Sequence, residues 1–436
     1  MIRQVKIISV QFLLLLILVA PSGAQFPEDA LRYSSLGFGV GARSLGMGMA
    51  FTGIANDFSA TYWNPAGLGQ LQLSEFSVGL SHLSYGNTSS FLGNQKSFTN
   101  SSTDLNSFGL VYPFPTTRGS LVFAVGYSRV NDFTTGLSFD GFNDRSSIIP
   151  TLNEGLAYDL YLVDSLGQTP LVDSLQQRGK VIEGGGLNNW SFSLAVEAAR
   201  QLYLGFSLTV ISGAYSYNRD YSEIDVLNKY SQARFGTDYA FTRLNLINTI
   251  NADVSGFTAR LGMLYKFRSG ARFGINLKTP SFLTLRENFS TDGTSVFDVP
   301  DAQGRFSYNQ RQSGKTEYDV SSPFVLSVGG SVPLGDLMMA GDIELTDWTQ
   351  MKFSNADPLV EQYNADIKDL YRPTVNLRGG VEYEFSDAGF RIRGGFAYLP
   401  SPYQGDPPSF AQKYVTAGLG FVVQENIAID LGYAHG

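Results

Sequence analysis

The 436-residue chain has no cysteine and only two histidines, His82 and His435. Disulfides, thiol catalysis, thiolate metal sites and a lipid anchor on an N-terminal cysteine are therefore excluded. Two histidines are too few for a His-based zinc site or a Ser-His-Asp triad. No metal, no cofactor and no enzymatic chemistry are expected. Charged residues are scarce at 16%, the net charge is −8, and basic residues are scattered, which argues against nucleic acid as a partner. After the N-terminal leader no stretch approaches the roughly 18 apolar residues of a membrane helix. The mean hydropathy of −0.04 is that of a soluble protein or of a β-barrel, which hides its apolarity by alternation.

The N-terminus carries Arg3 and Lys6, an apolar stretch Ile7–Ala20 and the small-residue site Ser22-Gly23-Ala24. This is the form of a secretory signal over residues 1–24, with mature protein beginning at Gln25. Residues 25–72 are Gly-rich and alternate poorly, as a compact plug of short helices and turns would. Residues 73–436 alternate with period two, which sends side chains to opposite faces of strands. Trp190, Phe192, Leu194 and Val196 oppose Ser191, Ser193, Ala195 and Glu197. Val375, Leu377, Val381 and Tyr383 oppose Asn376, Arg378, Glu382 and Glu384.

The connections sort into two kinds. Very short ones fall at Pro115–Arg118, Arg200, Ser269–Gly270, Leu334–Asp336, Ser386–Asp387 and Glu425–Asn426. Long ones run near Asn131–Asn188, Asn218–Asp253, Phe289–Ser321, Asn355–Arg372 and Leu399–Gln412. Tight turns at one end and long loops at the other are the pattern of an outer-membrane barrel, all-β and antiparallel. Aromatics crowd the strand ends (Tyr85, Tyr112, Phe114, Phe385, Tyr398), as in interfacial girdles. Within the first long loop, Val172–Arg178 is expected to form a short helix, and His82 to end the first strand. About thirteen strands are counted, ending near Gly436. Single-chain bacterial barrels have even strand numbers, so a closing fourteenth strand is expected to be missing.

The stretches Gly41–Phe51, with Gly46 and Gly48, and Ala60–Leu68, with Trp63, Asn64, Pro65 and Ala66, resemble the OmpP1/FadL/TodX family of outer-membrane transporters for hydrophobic compounds. Arg260–Pro280, Pro323–Lys352 and Pro373–Pro400 are similar to its later strands. The resemblance implies a fourteen-stranded barrel with an N-terminal luminal hatch. It also implies passive uptake of long-chain fatty acids or aromatic hydrocarbons, with outer-membrane lipid and a hydrophobic small molecule as partners of a monomer. Family members release ligand sideways through a kinked third strand. The matching strand here, Gly119–Val130, has Gly126 as its obvious break and candidate gate.

Asp342, Glu344, Arg378, Glu382, Arg391 and Arg393 fall on the inward face. They are read either as a polar translocation path or, more plainly, as charges satisfying one another and the hatch. Gly37-x-Gly39-x-x-Ala42 matches a dinucleotide fingerprint but opens no βαβ unit, so its glycines are read as hatch turns. The alternative function is an adaptor barrel for protein secretion, without transport.

Overall fold

The computed structural model describes residues 26–230, 240–423 and 427–436. The signal expected over residues 1–24, the mature terminus at Gln25 and the turn at Glu425–Asn426 lie outside them. In the described residues, strand segments join into one antiparallel sheet. They are β1 (Glu75–Phe91), β2 (Asn94–Phe114), β3 (Leu121–Asp132), β4 (Thr135–Asn143), β5 (Leu175–Ala199), β6 (Leu202–Ile224), β7 (Phe241–Lys266), β8 (Arg272–Lys278) and β9 (Phe282–Phe297). There follow β10 (Ser307–Ser321), β11 (Val325–Leu334), β12 (Leu337–Asp347), β13 (Lys352–Ser354), β14 (Pro373–Phe385), β15 (Phe390–Leu399), β16 (Gln412–Val423) and β17 (Ile427–His435).

Two crossings of the wall are each broken in two by a proline. Thr279-Pro280-Ser281 separates β8 from β9, and Ser322-Pro323-Phe324 separates β10 from β11. Proline has no N–H for the ladder, so pairing lapses there. The two breaks lie side by side and are bridged by Ser322 N donating to Ser281 O at 3.0 Å. β1 pairs with β2 and β17 with β16. Among the described residues no ladder joins β1 to β17.

The wall is apolar outside and polar inside. Trp190, Phe192 and Leu194 on β5 and Leu204, Phe206 and Leu208 on β6 stand exposed, while Ser191, Ser193, Ser207 and Thr209 between them are buried. The same exposed band continues through Leu261, Ile343, Leu377, Phe396 and Leu419. A contiguous apolar surface of this kind is a membrane face, the outward apolar band of an outer-membrane barrel.

Inside the wall lie α1 (Pro27–Ser34), α2 (Ala42–Gly46), α3 (Ala60–Trp63) and a 3-10 turn, Pro65–Gln70. Phe51, Ile54, Ala55, Trp63 and Leu68 are buried there. Beyond the membrane band the strands do not stop, so much of what reads as loop is strand. β1 and β2 run on to a two-residue turn, Leu92-Gly93, with φ of 48° and 85°. β9 and β10 continue as a hairpin across what reads as the long connection Phe289–Ser321. α4 (Glu154–Asp159) packs with Ile149, Leu160, Leu175, Tyr221 and Leu244 into a second apolar core above the first.

Two local expectations are corrected. Leu175–Arg178 belongs to β5 rather than to a helix. The helix of that loop is α4, whose Asn153 accepts a capping bond from Gly155 N. His82 lies within β1, paired with Thr103, and does not end the strand.

Candidate functional site

The N-terminal segment meets the wall where strands carry inward glycines. A Cβ at Gly205 would lie 2.2 Å from Ala66 N, at Gly262 2.2 Å from Asn64 Oδ1, and at Gly274 2.3 Å from Thr52 O. At Gly380 it would lie 2.1 Å from Met47 O. Backbone therefore lies directly on backbone around the wall, leaving no space for side chains. Gly46 rests on Gly418, and Gly48, at φ of 64°, faces Gly379 O. Asn64 is the central fastener. Its Nδ2 donates to Thr52 O (2.9 Å) and to Met263 O on β7 (3.0 Å), and its Oδ1 accepts from Ala66 N. Pro65 opens the 3-10 turn, where the missing N–H costs nothing. Trp63 Nε1 donates to Val40 O at 2.9 Å.

The inward charges converge on this segment and on each other. Asp342 Oδ2 accepts from Phe51 N and Thr52 N, each at 2.8 Å. Glu344 is held by both Nη atoms of Arg378 (3.0 and 2.8 Å), whose guanidinium lies 5.5 Å from the Trp63 ring. Glu382 is shared by Arg43 of α2 and Arg393 of β15, and Arg393 also reaches Asp430 on β17 at 2.6 Å. Among the described residues Arg391 pairs with Glu384 alone, nearer the turn end, away from the segment. In the luminal helix α1, burial holds the Asp29 carboxyl above its usual range despite its ion pair with Arg32.

Higher in the lumen is a cavity of about 30 Å³ lined by Tyr33, Leu36, Tyr62, Val130, Ile211 and Leu283, among others. Two cations enter its lining, Arg260 and Lys278. They stand directly opposite each other in the β7–β8 ladder. Both are almost fully buried, and Arg260 Nη1 has no hydrogen-bond partner. Lys278 Nζ reaches only Ser322 Oγ (3.2 Å) and Thr279 O (3.4 Å). Glu344, an acid on the same inward face, is already gripped by Arg378. Like charges directly opposite are destabilising, so this pair is a site that an anion would settle. The residues were visible in the sequence as inward positions, and their spacing about the Ser269-Gly270 turn gives the register. Their isolation from acids was not visible.

Gly126 lies in uninterrupted ladders, paired with Gly109 and Ser191. The irregularity of the third strand is four residues further on. The β3–β5 register slips between Arg129 and Asn131, leaving Val130 unpaired. A matching slip between Gly79 and Leu80 leaves Asn106 of β2 unpaired. The β2–β3 ladder ends at Ser107↔Ser128. Beyond it side chains replace the ladder. Ser102 Oγ donates to Asp132 Oδ2 at 2.8 Å, and Arg129 Nε lies 3.6 Å from Asp104. This seam adjoins the cavity at Val130.

A family model described as "Outer membrane protein transport protein (OMPP1/FadL/TodX)" matches residues 187–436. No curated protein matches the chain in sequence. Among solved structures, the Pseudomonas putida toluene transporter TodX is 14% identical, covers 91% of this chain and 92% of its own, and superposes with a TM-score of 0.52. The monoaromatic hydrocarbon channel CymD is 18% identical over 91% and 92% of the two chains, with a TM-score of 0.51. A FadL homologue of Pseudomonas aeruginosa is 14% identical over 91% and 89%, with a TM-score of 0.53. At these identities the likeness speaks for the fold.

Proposed function

This chain belongs to the outer membrane transport protein family of OMPP1, FadL and TodX; on that premise we propose that it is a passive channel for amphipathic acids of the long-chain fatty acid type. Members of this family reside in the outer membrane and transport; nothing in the comparisons favours the adaptor alternative. The carrying observation is the Arg260–Lys278 pair on a cavity that otherwise mixes apolar side chains (Leu36, Val130, Ile211, Leu283) with neutral polar ones (Ser34, Asn189, Thr258). A neutral arene would leave both cations unanswered, whereas a carboxylate would make charge-assisted hydrogen bonds with them.

The N-terminal segment acts as a hatch, sealed below the cavity by glycine contacts and the Glu382 network. Direct passage to the periplasm is closed, and the ligand leaves through the β2–β3 seam into the bilayer. Each CH₂ that moves from water into lipid gains about 0.8 kcal/mol, so a concentration gradient suffices. A cavity of about 30 Å³ holds roughly one water, and loading requires Tyr33–Leu36 to move aside.

The test is uptake of radiolabelled oleate and toluene by a deletion strain with and without the gene. Gene-dependent oleate uptake exceeding that of toluene is expected. Equal stimulation of both would remove the acid specificity, and stimulation of neither would remove the transport reading.

A further inference from the structure

A second break in the wall lies far from the β2–β3 seam, between β14 and β15. Their ladder begins at Leu377↔Tyr398. Above it the two segments meet again at the Tyr371↔Tyr403 bridge, at Arg372 N donating to Pro402 O (2.9 Å) and at Gln404 N donating to Leu370 O (2.7 Å). Between these closures Pro373–Asn376 have no partner on the β15 side. The opening is a slot of about 310 Å³, lined by Pro373, Val375, Tyr398, Pro400, Pro407 and Pro408 together with Arg372, Ser401 and Asp406. That volume is at the lower end of small-molecule sites.

Its placement gives the ligand class. Val375, Leu377 and Phe396 beside it belong to the exposed membrane face, so the slot opens toward lipid rather than water. It sits at the end of the band carrying the long loops, the level of the outer-leaflet headgroups. Pro373 and Pro400 contribute no N–H to its edges, which lowers the cost of an unpaired edge in hydrocarbon. Phe410, 65% exposed on the neighbouring loop, is an interfacial anchor. At the top, Arg372 spends Nε and Nη2 on one carbonyl, Ser401 O, both at 3.2 Å. Among the described residues it forms no ion pair. Asp406 shares the lining, but its carboxylate accepts from Ser401 Oγ at 2.5 Å.

We propose that this slot binds one anionic outer-leaflet lipid, with an acyl chain against Val375, Tyr398 and the prolines and its phosphate on Arg372. The site is independent of the transport cavity. A guanidinium offers two parallel donors to a phosphate, and an exposed amphipathic slot holds the chain below it.

The full chain in detergent is titrated with phosphatidylglycerol and phosphatidylcholine and read by native mass spectrometry. The expected result is one retained phosphatidylglycerol, preferred about tenfold, the scale of one charge-assisted bond. Arg372→Gln loses the preference and keeps chain binding. Val375→Trp fills the slot and loses both lipids. Asp406→Asn strengthens phosphatidylglycerol binding. Inorganic phosphate at millimolar concentration leaves the bound lipid in place. Retention by Val375→Trp equal to wild type, or an unchanged preference in Arg372→Gln, overturns the proposal. Heat-modified gel mobility checks that each variant is folded, and all three substitutions are at or near the surface.

Discussion

Arg260 and Lys278 face each other across adjacent strands with no carboxylate between them. The fold tolerates this pair only with its charge spread over weak partners, the Tyr62 ring at 4.5 Å and Ser322 Oγ. Arg260→Gln or Lys278→Met is expected to slow oleate uptake about tenfold, equivalent to one charge-assisted hydrogen bond. Neutral arene uptake is expected to stay within a factor of two. Parallel loss of both solutes would mean the pair is structural.

The glycine contacts fit the N-terminal segment closely against the wall. Gly262→Val forces a side chain into the position of Asn64 Oδ1. Overpacking of this kind costs about 1–3 kcal/mol. Small-ion conductance in planar bilayers is expected to rise from near zero as the segment lifts. An unchanged conductance with reduced heat stability would show that the wall yields instead.

Glu382 sits between two guanidiniums, the buried Arg393 and the mostly covered Arg43. Removing it alone leaves both without their shared carboxylate, a loss of about 3–5 kcal/mol. Glu382→Ala should therefore unfold at markedly lower temperature in detergent. The quadruple replacement Arg43→Met, Glu382→Met, Arg393→Met and Asp430→Asn should recover much of that loss, because Asp430, which Arg393 also holds, is neutralised with the rest. Thermal circular dichroism distinguishes these outcomes.

The seam beside Val130 is latched by side chains, and the chain's lack of cysteine makes it testable without background. Ser102→Cys with Asp132→Cys places two thiols where a 2.8 Å hydrogen bond now stands. Oxidation should lower uptake several-fold and reduction should restore it, since a disulfide adds a covalent bar across the exit. Rates independent of redox state would move the exit elsewhere.

The β9–β10 hairpin has its own acid sensitivity. Asp301 accepts from Arg305 N first of all, then from Arg305 Nε, Tyr308 Oη and Gln303 N, and its carboxyl is held down at about 2. A depressed carboxyl contributes order above its unfolded value of about 3.9 and loses it as pH falls toward 2. Amide protection at Gln303 and Arg305, taken relative to the intrinsic exchange rate at each pH, should fall in that window, and Asp301→Asn should be less protected already at pH 7.

Much of this architecture was legible along the chain. Tight turns such as Ser269-Gly270 separate strands whose alternate residues are apolar, and those residues form the lipid face. Asn64 and Pro65 stood out as part of the stretch that carries the family resemblance, and the structure gives them local work a short motif can encode. Other features carried no local signature. Val130 is an ordinary strand residue, yet it holds the bulge that Gly126 does not, because a register slip depends on the partner strands. The loops beyond the membrane were read as irregular because polar alternation without an apolar face resembles loop. Their pairing with neighbours makes them strands.

What the sequence by itself determined is the inside-out layering: period-two spacing assigns each side chain a face, and its polarity selects lipid or lumen residue by residue. What only the tertiary structure decided is which inward groups meet. Arg43 finds Glu382 across more than three hundred residues, while Arg260 and Lys278 find no acid. Such encounters depend on the curvature of the wall and the route of the N-terminal segment through it, and both arise from packing among elements distant in the chain.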